Sequence, residues 1–137
     1  MRFGIVLTLF PGQWSEKEVF KFILRQVDTA VENGFEAVFS GHHFVTGPDS
    51  RLPHPLAILP FVAGRHPGTY VGTSILLAPF FHPVMLAEQV AALDHLADGR
   101  LILGIGQGYR EQEFAAMELE RASRGARMRE VVHAMRV

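Results

Sequence analysis

Four short apolar runs alternate with four helical stretches along this chain, and no spacer between them is long enough to be a linker. The runs are Arg2–Leu9, Phe35–Ser40, Thr69–Leu77 and Leu101–Ile105, rich in Ile, Val, Leu and Phe. Each has the length and composition of a buried strand. Strand–helix alternation predicts an α/β fold, with a parallel sheet covered by helices. The unit is roughly 33 residues long, but no motif recurs in it, so it is a βα unit and not a solenoid repeat.

Local signals place the helices. Ser15 and Glu18 fit a capping box. Val19, Phe20, Ile23, Leu24, Val27, Ala30 and Val31 follow at helical spacing, and Gly34 ends the helix with a left-handed turn. Pro55 to Ala63 predicts a short helix, against which Pro60 counts. Pro83 suits a first helical turn. Leu86, Val90, Leu93 and Leu96 are expected as that helix's buried stripe, with Asp98-Gly99 turning the chain. A last helix is expected from about Ser123 to the end.

The loops are asymmetric. Those after strands are long and hold most of the unusual residues: TLFPGQW, SGHHFVTGPDSRLP, APFFH and GQGYREQE. Those after helices are short. Parallel α/β folds bind ligands at the C-terminal ends of their strands. The chemically able residues therefore fall where such folds put their sites.

Composition removes several classes. A chain that is 48% hydrophobic is not disordered. A net charge of −1 offers no basic field for nucleic acid. Without cysteine there is no disulfide framework, no thiolate metal ligand and no thiol nucleophile. No apolar run reaches the ~18 residues of a membrane span. The opening MRFGIVLTLFPG reads as a strand and not as a signal peptide. These readings predict a cytoplasmic domain with neither a nucleic-acid nor a membrane partner.

His42-His43 closes the second strand. Neighbours on a strand point to opposite faces, so one of the two is expected at a site. The spacing is poor for two metal ligands, and no metal is expected. One neutral imidazole offers hydrogen bonding or general-base chemistry; the competing reading has one His packing and the other capping a loop. Gly104-Ile105-Gly106-Gln107-Gly108 lacks both the immediate helix and the later acidic residue of a dinucleotide fingerprint. Glycines at a strand end instead suit close approach by a flat ligand or another backbone. No G-x-S-x-G elbow supports a serine hydrolase. Arg110, Arg121, Arg124, Arg127 and Arg129 read mainly as a solvated face, with Arg124 able to meet an anion. Phe80, Phe81, Tyr109 and Phe114 suit the wall of an apolar pocket.

The strand RFGIVL, the strand end FEAVFSGHHF and above all VGTSILLAPFFHPVMLAEQVAALDHLADGRLILGIGQGY resemble the luciferase-like flavin-dependent monooxygenases. The stretch Arg124 to Glu130 is similar too, and the resemblance runs from Arg2 to the last residue. It implies a (β/α)8 TIM barrel with a flavin site at its C-terminal face. It also implies oxidation of a small apolar substrate, such as an aldehyde, with reduced FMN and dioxygen. By position, His42 matches the family's catalytic histidine. Thr73, Ser74 and Ile75 match the third-strand segment that carries the ring, where a non-proline cis peptide is expected at Ser74–Ile75. Gly106 and Gln107 match the fourth-strand end beside the flavin, and Arg124 matches an arginine near the phosphate. Gly41 stands where the family often has Glu, and Gln107 where it often has Arg, so two charges are missing. The His-His pair favours FMN over the deazaflavin members.

Four βα units make half of an eight-unit barrel of ~250 residues. Residues 1–137 are thus expected to be the N-terminal half of the domain, with open edges on the first and fourth strands that invite a homo- or heterodimer. A separate flavin reductase is the implied partner. Alone, such a half is expected to bind FMN weakly and not to turn over. A non-catalytic flavoprotein subunit and a deazaflavin-dependent oxidoreductase are the alternatives.

Overall fold

The structure, a computed structural model, describes residues 1–7 and 9–136. Thr8 of the expected first strand and Val137 of the expected last helix lie outside the described residues. In chain order the elements are β1 (Gly4–Leu7), β2 (Phe10–Pro11), α1 (Glu16–Glu32), β3 (Ala37–Ser40), β4 (Ser50–Arg51), α2 (Pro55–Arg65), β5 (Tyr70–Leu77), α3 (Pro83–Leu96), β6 (Leu101–Gly106), α4 (Glu111–Ala116) and α5 (Arg124–Ala134). Single 3₁₀ turns occupy Ala78–Phe80 and Arg121–Ser123.

The expected parallel sheet is present, in the order β1-β3-β5-β6. Its register arranges the side chains in rows. Ile5, Val38, Val71 and Leu101 are paired across the four strands. All four pack into the core formed with α1, α2 and α3. One residue further on, Val6, Phe39, Gly72 and Ile102 form the opposite row. Among the described residues no helix covers that face, and Val6 and Ile102 stay 45% exposed. A two-residue period thus makes one face core and the other a surface. Gly72 serves close approach in the uncovered row, since a Cβ there would lie 2.6 Å from Phe39 Cε1.

Helix α1 forms as its signals require. Ser15 Oγ accepts from the Glu18 N–H, and Glu18 Oε2 accepts from the Ser15 N–H at 2.7 Å, closing the capping box. Val19, Ile23, Val27 and Ala30 form its buried stripe. At its far end Asp28 accepts from Arg65 Nε and Nη2 at 2.7 and 2.8 Å and pairs with His66 Nε2 at 2.7 Å, tying α1 to α2. The Arg65 guanidinium holds the Asp28 carboxyl down at about 2.

Three expectations are corrected. Leu96 is 62% exposed, and Ala97 takes its place in the core. Steps of three and of four residues both fit a 3.6-residue helix, and contact with the sheet selects the four-residue step from Leu93. A short antiparallel ribbon, β2 with β4, falls in segments read as loop. Arg51 fastens it by donating from Nε to the carbonyls of Gly12 and Trp14 at 3.2 and 2.6 Å, a contact without sequence periodicity. The six-residue helix α4 also falls in a segment read as loop, being too short to show a stripe. Pro60 is accommodated inside α2, which runs on to Arg65.

Two stability effects are expected. Ser15→Ala should lose about 1 kcal/mol, read as a lower urea midpoint by Trp14 fluorescence. Asp28 is held below its unfolded value of 3.8, so its contribution is complete above that pH and fades as pH falls towards about 2. Asp28→Asn should therefore be destabilised at neutral pH and converge with the parent between pH 4 and 2 in urea titrations.

Candidate functional site

All four parallel strands end on the same side of the sheet, and their C-terminal ends surround a cavity of about 410 Å³. Val6, Leu7 and Leu9 come from the end of β1, and Gly41, His42 and His43 from the end of β3. Leu52 follows β4; Ser74, Ile75 and Leu77 belong to β5; Gly108 and Tyr109 follow β6. The lining is mostly apolar, with imidazole, hydroxyl and phenol groups at a few points.

Strand β5 is irregular where it borders this cavity. The Ser74–Ile75 peptide is cis, as the resemblance implied. Pairing with β6 slips between Thr73 and Leu76 at the same place. Ser74 and Ile75 are consequently both exposed, where regular alternation would bury one. Gly106 lies opposite: a Cβ there would collide with the Ile75 side chain. Gly108 has φ +77°, a left-handed conformation suited to glycine, and it lies beside the rings of Phe80 and Phe114.

The two histidines behave differently from the strand-face expectation. Strand β3 ends at Ser40, so His42 and His43 lie beyond it and both border the cavity. His42 is only 4% exposed. Its ring packs against Phe44, His54 and Phe81, at centroid distances of 4.3, 4.6 and 5.8 Å. Burial, with His54 and His43 adding positive neighbours, lowers its pKa to about 3. His42 is thus a neutral hydrogen-bonding group at physiological pH and a weak base. Its Nδ1 accepts the Leu77 N–H at 3.2 Å, and its buried Nε2 has no partner among the described residues.

The other expected site residues are distributed around this centre. Thr73 is buried, its Oγ1 donating to the Gly104 carbonyl at 2.7 Å, so it braces β5 to β6 behind the cavity. Gly106 ends β6, and exposed Gln107 follows it outside the cavity wall. Arg124 begins α5 and donates from Nη1 to the Arg121 carbonyl at 2.8 Å, away from the cavity wall. Two residues were missed by sequence reasoning. His54 caps α2, its Nδ1 accepting from the Leu56 N–H at 3.2 Å, and burial lowers its pKa. Glu113 is fully buried and bonds to His43. Neither belongs to a periodic pattern; only their place in long loops after strands marked them.

Compared with known proteins, the sequence matches the luciferase-like monooxygenase family over residues 1–137. The chain belongs to that family. It is 27% identical to the oxygenase component of the flavin-dependent trigonelline monooxygenase of Acinetobacter baylyi, over 99% of this chain and 39% of that protein. It is 33% identical to an alkanal monooxygenase alpha chain of Photorhabdus luminescens, over 83% of this chain and 32% of that one. The F420-dependent glucose-6-phosphate dehydrogenase of Amycolatopsis mediterranei is 31% identical over 90% of this chain and 38% of its own. Among solved structures, monooxygenase RslO1 from Streptomyces bottropensis superposes with a TM-score of 0.88 at 34% identity, covering 99% of this chain and 42% of that one. The chain therefore spans about two fifths or less of each of these luciferase-like relatives. No helix among the described residues is long and apolar enough to cross a membrane.

The state of His42 is directly measurable. Its imidazole Cε1–H resonance should stay flat from pH 8 to pH 4 and move only near pH 3, because its pKa lies there in the folded chain. A midpoint near 6.5 would show an exposed ring.

Proposed function

We propose that this chain is the N-terminal half of a luciferase-like barrel whose complete form oxidises a small apolar substrate, such as an aldehyde, with reduced FMN and dioxygen. The observation that carries the reading is the apolar cavity at the strand ends, with Ser74 and Ile75 exposed along one wall.

The residues present suit a flavin. Ile75, Leu77 and Val6 offer apolar surface to a flat ring. Gly41, Gly106 and Gly108 keep side chains away from the strand ends, and a Cβ on Gly106 would drive Ile75 from its place. The buried Nε2 of His42, without a partner among the described residues, is a polar group able to donate to a ligand. In this reading Ser74 and Ile75 meet the ring, Gly106 leaves room for Ile75 and Thr73 braces their strand, while Gln107 and Arg124, which lie outside the cavity wall in this chain, would reach only a part of the cofactor that extends beyond it. Bound FMN would supply the redox chemistry. The protein's own part is to orient the ring, exclude water with apolar walls and donate a hydrogen bond from His42.

The trigonelline relative is the oxygenase component of its system, which supports a separate reductase as partner. Open edges at β1 and β6 support pairing with further chain, in a barrel or in a homo- or heterodimer. The match to an F420-dependent relative favours a second reading, a deazaflavin cofactor in the same cavity.

Titration with FMN should quench flavin fluorescence, with weak affinity for this chain alone. Quenching by a deazaflavin but not by FMN would select the second reading. In a full-length barrel containing these residues, His42→Ala should abolish reductase-coupled oxidation of an aldehyde. Wild-type turnover in that variant would remove His42 from the mechanism. Dimerisation by light scattering, without oxygen consumption in the full-length protein, would mark a non-catalytic subunit.

A further inference from the structure

Two adjacent imidazoles meet opposite hydrogen-bonding partners. His42 Nδ1 faces the Leu77 N–H. A backbone N–H has only a proton to offer, so His42 Nδ1 is bare and the neutral ring carries its proton on Nε2. His43 Nδ1 lies 2.8 Å from Glu113 Oε1. That oxygen also accepts the Phe44 N–H at 3.1 Å. An Oε1 that accepts both contacts has His43 Nδ1 as its second donor.

We propose that Glu113 is a positioning residue that fixes His43 as its Nδ1–H tautomer, leaving the Nε2 lone pair as the group His43 offers at the cavity wall. The dipeptide then carries one imidazole of each kind: His42 with a proton on Nε2, His43 with a lone pair there. His43 becomes the proton acceptor of the site, a role the buried His42 is poorly suited to fill.

The setting of Glu113 supports this. The residue is fully buried on the six-residue helix α4, and its Oε2 has no partner among the described residues. A buried carboxyl with half its acceptors unmet is a poor device for stability. What it holds is the backbone just past β3 and the ring of His43. His43 follows His42 in the chain, and the Tyr109 ring meets it edge-on at 6.4 Å. The inference rests on the flavin reading only in treating the cavity as the reacting site; the tautomers exist without any ligand.

Long-range ¹H–¹⁵N correlation spectra of the ¹⁵N-histidine-labelled chain at pH 8 test it, with His43 assigned by loss of its signals in His43→Gln. The expected spectrum has a protonated Nδ1 and a bare Nε2 for His43, and the reverse for His42. Glu113→Gln retains an acceptor oxygen and should keep both patterns. Glu113→Ala should return His43 towards the Nε2–H form that an unconstrained imidazole prefers, leaving His42 unchanged. A protonated Nε2 on His43 in the parent chain overturns the proposal, as does a tautomer change in Glu113→Gln or its persistence in Glu113→Ala. If Glu113→Ala fails to fold, the parent and Glu113→Gln spectra decide the matter. Failure of FMN to bind would leave these spectra as they are, so the two readings stand or fall separately.

Discussion

The pairing of the four parallel strands β1, β3, β5 and β6, in register up to Thr73 of β5, is the constraint on which the rest of this molecule depends. Continuous register aligns Ile5, Val38, Val71 and Leu101 in a row beneath the helices. The same register brings Gly41 and Ser74 to the lip of one cavity, although they lie 33 positions apart in the sequence. Hydrophobic burial fixes the register, because a one-residue slip would turn Val38 and Val71 out of the core and Phe39 into it. The site is thus a by-product of core packing, carried by strands whose ends must coincide.

Where the regular pattern stops, the chemistry starts. Strand β3 ends at Ser40, β5 loses its register after Thr73, and β6 gives way to a left-handed Gly108. Each interruption re-aims side chains. Ser74 and Ile75 both become exposed, and His42 turns into an aromatic nest while His43 turns towards Glu113. Buried groups behind these points hold the interruptions in place. Thr73 bonds across to Gly104, and the Leu77 N–H reaches His42.

One face of the sheet carries no helix among the described residues. Val6, Ile75 and Ile102 remain between 42% and 45% exposed on it, a surface of the kind that proteins bury. The family's relatives are more than twice as long as the part matched here.

The amino-acid sequence determined the parallel α/β architecture, the capping box of α1, the end of the sheet at which residues gather and the identity of the family. These depend on local periodicity, on turn residues and on a run of motifs in fixed order, all of which are properties of neighbouring positions. It also pointed to the cis Ser74–Ile75 peptide, through resemblance alone. Only the tertiary structure decided that Leu96 is solvent-exposed, that Thr73 braces the sheet, and that His42 is deeply buried with a depressed pKa. Only the tertiary structure joined His43 to Glu113, 70 residues away. The reason is physical: a tautomer, a pKa and a buried ion partner depend on which groups lie within a few ångströms in space, and no period along the chain encodes that distance.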